Sequence, residues 1–396
     1  MCRRFDVVGI TDSPSPLLSE EIKRIVASGK VFSGGKRHHE IMRRYLPEDH
    51  IWIDVTVPLE NTFAQYGDHD NIVVFASGDP LFFGYATTLK RNFPESQIEV
   101  YPAFNSLQML AHRLKINYED MVCVSLTGRP WDRFWETVIS GANLIGVLTD
   151  KKNTPAFIAR QLLKYGYDGY EMCVGSHLGN PGEELFSALS LKEASESDFG
   201  FPNCVILKNS RKSGHKRYFG IPDKCFNHLP GREKMITKMP IRLVSLSMLD
   251  LYDRHNLWDV GFCTGSISIE AKLQFPHLKI TAFEKREECA GIMELNTTQL
   301  GAPGIQAVTG DFLDLDLGAY PAPDAVFIGG HGGRLKEMLH LINRHASPGC
   351  VIVFNSVSES SKEAFVAGIS ETGREIVESH TVSLDDFNTI TILKAQ

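Results

Sequence analysis

Four short strings in the second half of the chain combine residue types that can hold a nucleoside. LWDVGFCTG, residues 257–265, ends an apolar run on a turn with Gly261 and Gly265. Small residues there let the backbone approach a ligand closely. About 20 residues on, Glu284 closes the next apolar run, where a carboxylate can accept hydrogen bonds from both hydroxyls of a ribose. The third run ends in Gly310-Asp311-Phe312. Asp311 can accept from an exocyclic adenine amine, and Phe312 offers an apolar wall. The fourth run opens into Gly329-Gly330-His331-Gly332-Gly333, a floor on which a flat substrate can lie. Beside it, His331 and Arg334 can hold carboxylates or relay a proton. A dinucleotide-binding turn reads GxGxxG, but Cys263 occupies the position of its second glycine. That counts against pyrophosphate binding and hydride transfer.

The first half carries a different set. The run 71–77 leads into S-G-D-P-L-F-F-G, with Gly78 free to turn, Asp79 at the strand end and Phe82 behind it. Pro102-Ala103-Phe104-Asn105-Ser106 begins a helix, for which Asn105 is a suitable cap. S-L-T-G-R-P (125–130) and L-T-D-K-K-N-T-P (148–155) follow, and Thr154 is a second cap candidate. Arg129, Lys151 and Lys152 stand beside these loops and can pair with substrate carboxylates. Lys36-Arg37-His38-His39 is a further basic run, read as a solvated helix start. No third ligand has fitting spacing to His38 and His39, so no metal site is expected.

These loops need strands and helices to hold them. Apolar runs at 6–10, 51–55, 71–77, 97–101, 122–126, 144–148 and 204–207 read as strands, with amphipathic stretches such as 19–28, 105–114 and 154–165 between them. The alternation predicts a mostly parallel sheet wrapped by helices. From 209 to 235 the periodicity lapses into NSRKSGHKR and a Pro- and Gly-containing stretch, which reads as a linker. Beyond it, helices are expected at 242–252, 265–274, 286–300 and 334–345. Strands are expected at 257–261, 279–284, 305–309, 325–328 and 350–354. Runs at 375–383 and 389–394, joined by an Asp-rich turn, predict an antiparallel hairpin closing a parallel sheet.

With 396 residues, 43% of them hydrophobic and 22% charged, the chain is an ordinary globular one of two or three domains. The first 230 residues hold 26 Lys and Arg against 27 Asp and Glu, and the rest hold 15 against 21. No basic excess marks a nucleic-acid binder, which counts against an RNA methyltransferase reading of the second half. The eight Cys include no CxxC pair, and no apolar signal core or membrane-length run is present. Scattered single Cys fit a reducing cytoplasm.

D-V-G-x-x-T-G-S-I-S-I-E, preceded by I-T-K and followed by F-I-G-G-x-G-G, resembles the decarboxylating C15-methyltransferases of corrin biosynthesis. That resemblance implies a class I (Rossmann-like) fold with S-adenosyl-L-methionine at the carboxyl ends of its strands. It puts Thr237, Gly261, Thr264, Gly265, Glu284 and Asp311 on cofactor positions. Two departures stand out: Gly261-Phe262-Cys263-Thr264-Gly265 replaces G-A-G-T-G, and Met239-Pro240-Ile241-Arg242 lacks the usual acidic residue. G-D-P-L-F-x-G, P-A-x-x-S-L-Q, S-L-x-G-R-P and L-T-D-x-x-N-T-P in this order resemble the tetrapyrrole (precorrin) methylase family, in its C5-methylating corrin branch. That family folds as two α/β subdomains, and the resemblance puts Gly78, Asp79, Phe82, Ala103 and Ser106 along the cofactor. Here the departure is Val8-Gly9-Ile10-Thr11-Asp12-Ser13-Pro14, where V-G-I-G-x-G is usual.

Together the halves are similar to the fused precorrin-6Y C5,15-methyltransferase (decarboxylating) family. The resemblance implies a tetrapyrrole methylase domain at 1–208, a linker at 209–235 and a class I methyltransferase domain at 236–396. It implies methylation of a polycarboxylate tetrapyrrole at C5 and C15, with decarboxylation of the C12 acetate, in cobalamin biosynthesis. It also implies a cytoplasmic homo-oligomer, dimer or tetramer, with no nucleic-acid or membrane partner. His331, Arg334 and Arg129 are the catalytic candidates. A degenerate corrin-binding scaffold is the non-enzymatic alternative, suggested by the altered 9–14 loop. Because the decarboxylating half is the acidic one, its cations Lys238, Arg242 and Arg334 are expected at the cleft mouth.

Overall fold

The computed structural model describes residues 3–210, 218–233, 235–384 and 389–396. The chain forms two compact units. One comprises Met1–Arg129, Asn143–Arg160 and Tyr170–Ser210; the other comprises Pro130–Ala142, Gln161–Gly169 and Arg211–Gln396. Among the described residues no helix is long and apolar enough to cross a membrane.

The first unit holds two sheets. In one, strands β1 (Arg4–Ile10), β2 (Val31–Gly34), β3 (Ile51–Asp54), β4 (Asn71–Ser77) and β5 (Gln97–Tyr101) lie in the order β3-β2-β4-β1-β5. All four pairings are parallel. The central strands are buried on both faces. Phe5, Val7, Ile72 and Val74 join one apolar cluster, while Val8, Ile10, Val73 and Phe75 join another. This is the two-residue alternation of a pleated strand, and it explains why these strands read as unbroken apolar runs.

The other sheet joins β6 (Val122–Ser125), β7 (Leu144–Leu148), β8 (Tyr170–Ser176), β9 (Leu185–Ser190) and β10 (Asn203–Asn209) in the order β6-β7-β10-β8-β9. Only β6 and β7 pair in parallel; the other three pairings are antiparallel. The expectation of a mostly parallel sheet therefore fails for this half of the unit. Strands β8, β9 and β10 follow one another through loops and the short helix Leu191–Glu196. Chain returning so directly pairs antiparallel, whereas a parallel neighbour needs a long crossover.

In the second unit, β11 (Asn256–Val260), β12 (Lys279–Glu284), β13 (Ile305–Thr309), β14 (Ala325–Ile328), β15 (Val351–Ser356), β16 (Ile376–Val382) and β17 (Ile390–Ala395) form one sheet, ordered β13-β12-β11-β14-β15-β17-β16. The first five are parallel, and β17 runs antiparallel between β15 and β16. This is the parallel sheet closed by a hairpin that the sequence predicts; residues 385–388 of the Asp-rich turn lie outside the described residues. The order reverses beside β11, so the loops after β11 and β14 diverge and leave a crevice at the carboxyl ends.

Two expectations change here. In the stretch read as linker, 211–217 and 234 lie outside the described residues, but Ile221, Phe226 and Leu229 are buried in an apolar cluster with Phe262 and Met293. The helix expected from 242 instead spans Met239–Met248, with Pro240 in its first turn, where a missing N–H costs nothing.

The buried residue that ties these pieces together is Arg242, 0% exposed. Its Nε donates to Glu270 Oε2 at 3.1 Å, and Glu270 is also 0% exposed. Its Nη1 donates to the Thr237 carbonyl at 2.8 Å, and its Nη2 to the Ile221 carbonyl. Glu270 in turn accepts from the backbone N–H groups of Gly220 and Ile221. The expected place of Arg242 at the cleft mouth is thus corrected: it is a structural cation. Arg242→Ala leaves Glu270 buried and unpaired, and is expected to cost about 3–5 kcal/mol. Urea unfolding followed by circular dichroism checks this; an unchanged midpoint contradicts it.

Candidate functional sites

The loop after β11 turns because of its glycines. Gly261 has φ +82°, and a Cβ on it would lie 2.6 Å from the nitrogen of Gly330. Any side chain there would push the loops after β11 and β14 apart. Gly265 (φ +76°) serves packing instead, since its Cβ would lie 1.9 Å from the Met293 sulfur. It does not line the crevice. Cys263 holds a left-handed φ of +50° without being glycine. Its backbone N–H donates to Glu284 Oε2 at 3.1 Å, and its thiol to the Met235 carbonyl.

Glu284 is 6% exposed at the end of β12. Its carboxylate also accepts from the backbone N–H groups of Lys285 and Arg286 and from the Arg286 guanidinium. Asp259, on β11, is 1% exposed and accepts from Ser268 Oγ at 2.5 Å. Its second oxygen, Oδ1, is buried without a partner, as is Thr264 Oγ1. Burial pushes the Asp259 carboxyl up to about 7.

These groups line one cavity of about 630 Å³. It takes in the expected Thr237, Gly261, Thr264, Glu284, Asp311, His331 and Arg334. Lys238 and Arg334 are at the cavity as expected, but both are engaged: Lys238 lies 3.6 Å from Asp223, and Arg334 donates twice to Glu337, at 3.0 and 2.7 Å. His331 accepts at Nδ1 from the Gly333 N–H. Burial lowers its pKa, so the ring is neutral with its proton on Nε2. Sequence reasoning missed Asp259, Lys285 and Arg286 as lining residues. The available signal was an aspartate inside the apolar run LWDV, since a buried charge without a purpose is rare.

The S-adenosyl-L-methionine implied by resemblance fits the residues present. Glu284 can take the ribose hydroxyls, the two orphaned oxygens can meet the polar amino-acid end, and Phe262, Phe283 and Phe312 supply apolar walls.

In the first unit, β1 and β4 approach so closely that a Cβ on Gly9 would lie 1.9 Å from the Gly78 carbonyl oxygen. Gly78 has φ +62° and donates to the Ile10 carbonyl, and Ala103 donates to the Gly78 carbonyl. Asp79 Oδ1 accepts from the Leu81 N–H and closes the next turn. Phe82 stands edge-on to Phe83, with ring centroids 5.0 Å apart, and the Arg129 guanidinium lies 5.1 Å over Phe83. Gly78, Asp79 and Ala103 therefore gather at the strand ends. Ser106 starts the helix capped by Asn105 and hydrogen-bonds the buried Cys204 thiol.

A family described as "Precorrin methyltransferase domain" matches residues 228–396, and one described as "Tetrapyrrole (Corrin/Porphyrin) Methylases" matches 7–194. The chain is 31% identical over 376 residues to the precorrin-6Y C(5,15)-methyltransferase [decarboxylating] of Sinorhizobium sp, covering 94% of this chain and 89% of that protein. It is 32% identical over 145 residues to the cobalt-precorrin-6B C(15)-methyltransferase (decarboxylating) of Salmonella typhimurium, covering 37% of this chain and 74% of the relative. The cobalt-precorrin-7 C(5)-methyltransferase of the same organism is 28% identical over 180 residues, covering 45% of this chain and 87% of that relative.

The Asp259 environment has a measurable consequence. In the folded state the carboxyl keeps its proton up to about 7, whereas its ordinary value is 3.8. Its contribution to stability is therefore complete below about pH 4 and is lost as pH rises to about 7. Asp259→Asn is expected to remove that loss, so its denaturation midpoint falls less than the wild-type one between pH 4.5 and pH 8. Equal falls in both proteins would contradict the assignment.

Proposed function

The chain belongs to the precorrin-6Y C5,15-methyltransferase (decarboxylating) family, and from that premise we propose how its residues divide the work. It is an S-adenosyl-L-methionine-dependent methyltransferase of cobalamin biosynthesis. We assign the region 1–208 to C5 methylation and 236–396 to C15 methylation with loss of the C12 acetate carboxyl. The observation that carries the second assignment is the cavity holding Glu284 and the unpartnered oxygens of Asp259 and Thr264 at the carboxyl ends of β11 and β12.

When bound, the cofactor supplies an electrophilic sulfonium methyl to a nucleophilic ring carbon. The protein then needs no covalent group of its own. Its part is alignment, which can contribute on the order of 7–11 kcal/mol to such a reaction. In the C-terminal region, Thr237, Gly261, Thr264, Glu284 and Asp311 hold the cofactor, with Asp259 added. The Gly329–Gly333 floor, whose one side chain is His331, admits the flat macrocycle. His331, neutral and carrying its proton on Nε2, donates to a substrate carboxylate at the cavity opening. Phe262, Phe283 and Phe312 exclude water, and a desolvated carboxylate departs as carbon dioxide more readily, the electron pair of the broken C–C bond passing into the conjugated ring. Arg334 is a weaker candidate for that contact because Glu337 already engages it.

In the N-terminal region, Gly78, Asp79, Phe82 and the 103–106 loop line the cofactor, and Arg129 faces the substrate. The finer readings belong to the proposal as well: a polycarboxylate tetrapyrrole as substrate, a cytoplasmic location and a homo-oligomeric state. They rest on the family.

Incubation of the chain with the cofactor and a precorrin-6-type substrate is expected to add two methyls and remove one carbon dioxide, read by mass. No mass change with either the metal-free or the cobalt-bearing substrate refutes the proposal. Glu284→Ala is expected to slow C15 transfer and decarboxylation about ten- to a hundredfold while sparing C5, from the loss of hydrogen bonds to the ribose. Asp79→Ala should do the reverse. Intact decarboxylation in Glu284→Ala contradicts the division.

A further inference from the structure

The basic run at 36–39 is not a solvated helix start. Arg37 Nη1 lies 3.1 Å from Asp12 Oδ1, and Arg37 Nη2 donates to Ser77 Oγ at 3.0 Å. His38 Nε2 lies 2.9 Å from the same Ser77 oxygen. His39 is spent elsewhere, stacked on Trp52 with ring centroids 4.1 Å apart. Ser77 is the last residue of β4, immediately before Gly78 and Asp79, and it is exposed.

The hydrogen-bond inventory of Ser77 decides what it can still do. The Gly35 N–H donates to His38 Nδ1 at 3.2 Å, so the proton of a neutral His38 ring must sit on Nε2. Burial, then the Arg37 charge, pushes the His38 pKa down to about 4, and the ring is neutral at physiological pH. His38 therefore donates to Ser77 Oγ, and so does Arg37. A serine hydroxyl has two lone pairs and one proton. Both lone pairs are occupied, and the only capacity left is to donate the O–H outward. Arg37, whose guanidinium has further N–H groups and no acceptor, offers donors beside it.

Asp12 holds the arginine in place. It is 11% exposed, comes from the loop Thr11–Pro14 that departs from the glycine-rich family pattern, and also faces His177 Nδ1 at 3.4 Å. His177 is shared with Glu183 at 3.3 Å. The departure that suggested a weakened loop thus supplies an anchor.

We infer that Arg37 and Ser77 form a carboxylate-reading subsite at the carboxyl ends of β1 and β4. Two donors side by side, one of them a guanidinium, with no free acceptor between them, match a carboxylate. The inference rests on the proposed function for what arrives there. The carboxylate is either a side arm of the tetrapyrrole or the amino-acid carboxylate of the cofactor.

The test compares Ser77→Ala, Arg37→Gln and Arg37→Lys with the wild type in the C5 step. C15 transfer in the same chain serves to normalise for folded protein. Ser77→Ala and Arg37→Gln are expected to raise one KM about tenfold, as the loss of a charge-assisted hydrogen bond would. Arg37→Lys, which keeps the charge and loses the fork, should fall between. A rise confined to the tetrapyrrole KM assigns the subsite to a substrate arm; one confined to the cofactor KM assigns it to the amino-acid carboxylate. Both KM values unchanged in Ser77→Ala and Arg37→Gln overturn the inference. Should Arg37→Gln destabilise the fold by leaving Asp12 unpaired, Ser77→Ala decides alone, since it removes one hydroxyl. Absence of C5 product from the wild type would refute the proposed function instead. In that case calorimetric titration with S-adenosylhomocysteine and with the precorrin substrate makes the same comparison, and affinities equal to wild type for both overturn the subsite.

Discussion

The cavity of the C-terminal unit depends on one buried ion pair, Arg242 with Glu270. Two charges without solvent exposure are costly unless every polar atom finds a partner. Here Glu270 takes the N–H groups of Gly220 and Ile221, while Arg242 takes the carbonyls of Ile221 and Thr237. Three of these bonds hold residues 220–221 and the fourth holds Thr237. The segment around 221 is fastened to the helices Met239–Met248 and Ser266–Gln274. Thr237 and Lys238 are thereby held as one wall of the cavity that the Gly261 turn also lines. Removing one partner alone is the costly change, because it strands the other charge in the interior. A hydrophobic pair of equal volume would pack as well and would leave the Thr237 carbonyl unheld.

The same arithmetic of partners explains the acidic balance of this half. Its cavity cations do not form a free positive field. Lys238 is near Asp223, Arg286 bonds Glu284, and Arg334 bonds Glu337. Among the described residues, Lys285 is the cavity cation with no carboxylate within ion-pair distance. Under the proposed function, recognition of a polycarboxylate there would rest on a few positioned donors, His331 among them, rather than on net charge. Desolvation of a carboxylate that must leave as carbon dioxide is compatible with such a site; a dense cluster of free cations would stabilise the ground-state carboxylate instead.

Much of the second unit was legible because its strands and helices alternate at even spacing. Glu284 and Gly261 were singled out from spacing after an apolar run, a one-dimensional signal, and both line the cavity. Other features had no such signal. The strand Val31–Gly34 is only four residues long, and the strand Leu185–Ser190 is mostly exposed, so neither presents an apolar run of useful length. The helix Glu359–Glu371 begins in a serine cluster and carries small residues that blur its periodicity. Arg242 was misplaced because burial of a charge depends on a partner 28 residues away. The Arg37–Ser77 pair joins residues 40 apart through a strand end, which no local pattern reveals.

Both units solve one geometric problem with the same device. Where two neighbouring parallel strands end, their loops must diverge around a ligand without losing contact at the base. Gly9 against the Gly78 carbonyl, and Gly261 against the Gly330 backbone, bring backbone to backbone at distances that exclude a Cβ. The ligand-facing surface is then made of backbone dipoles and a few strand-end side chains. What distinguishes the two sites is what those side chains leave unsatisfied. In the second unit the unused groups include Asp259 Oδ1, which is an acceptor for a donor on the ligand once the carboxyl is ionised. In the first they are donors, Ser77 and Arg37, suited to an acceptor. The folds differ, but in each the ligand chemistry follows from the hydrogen bonds that the packed protein does not make for itself.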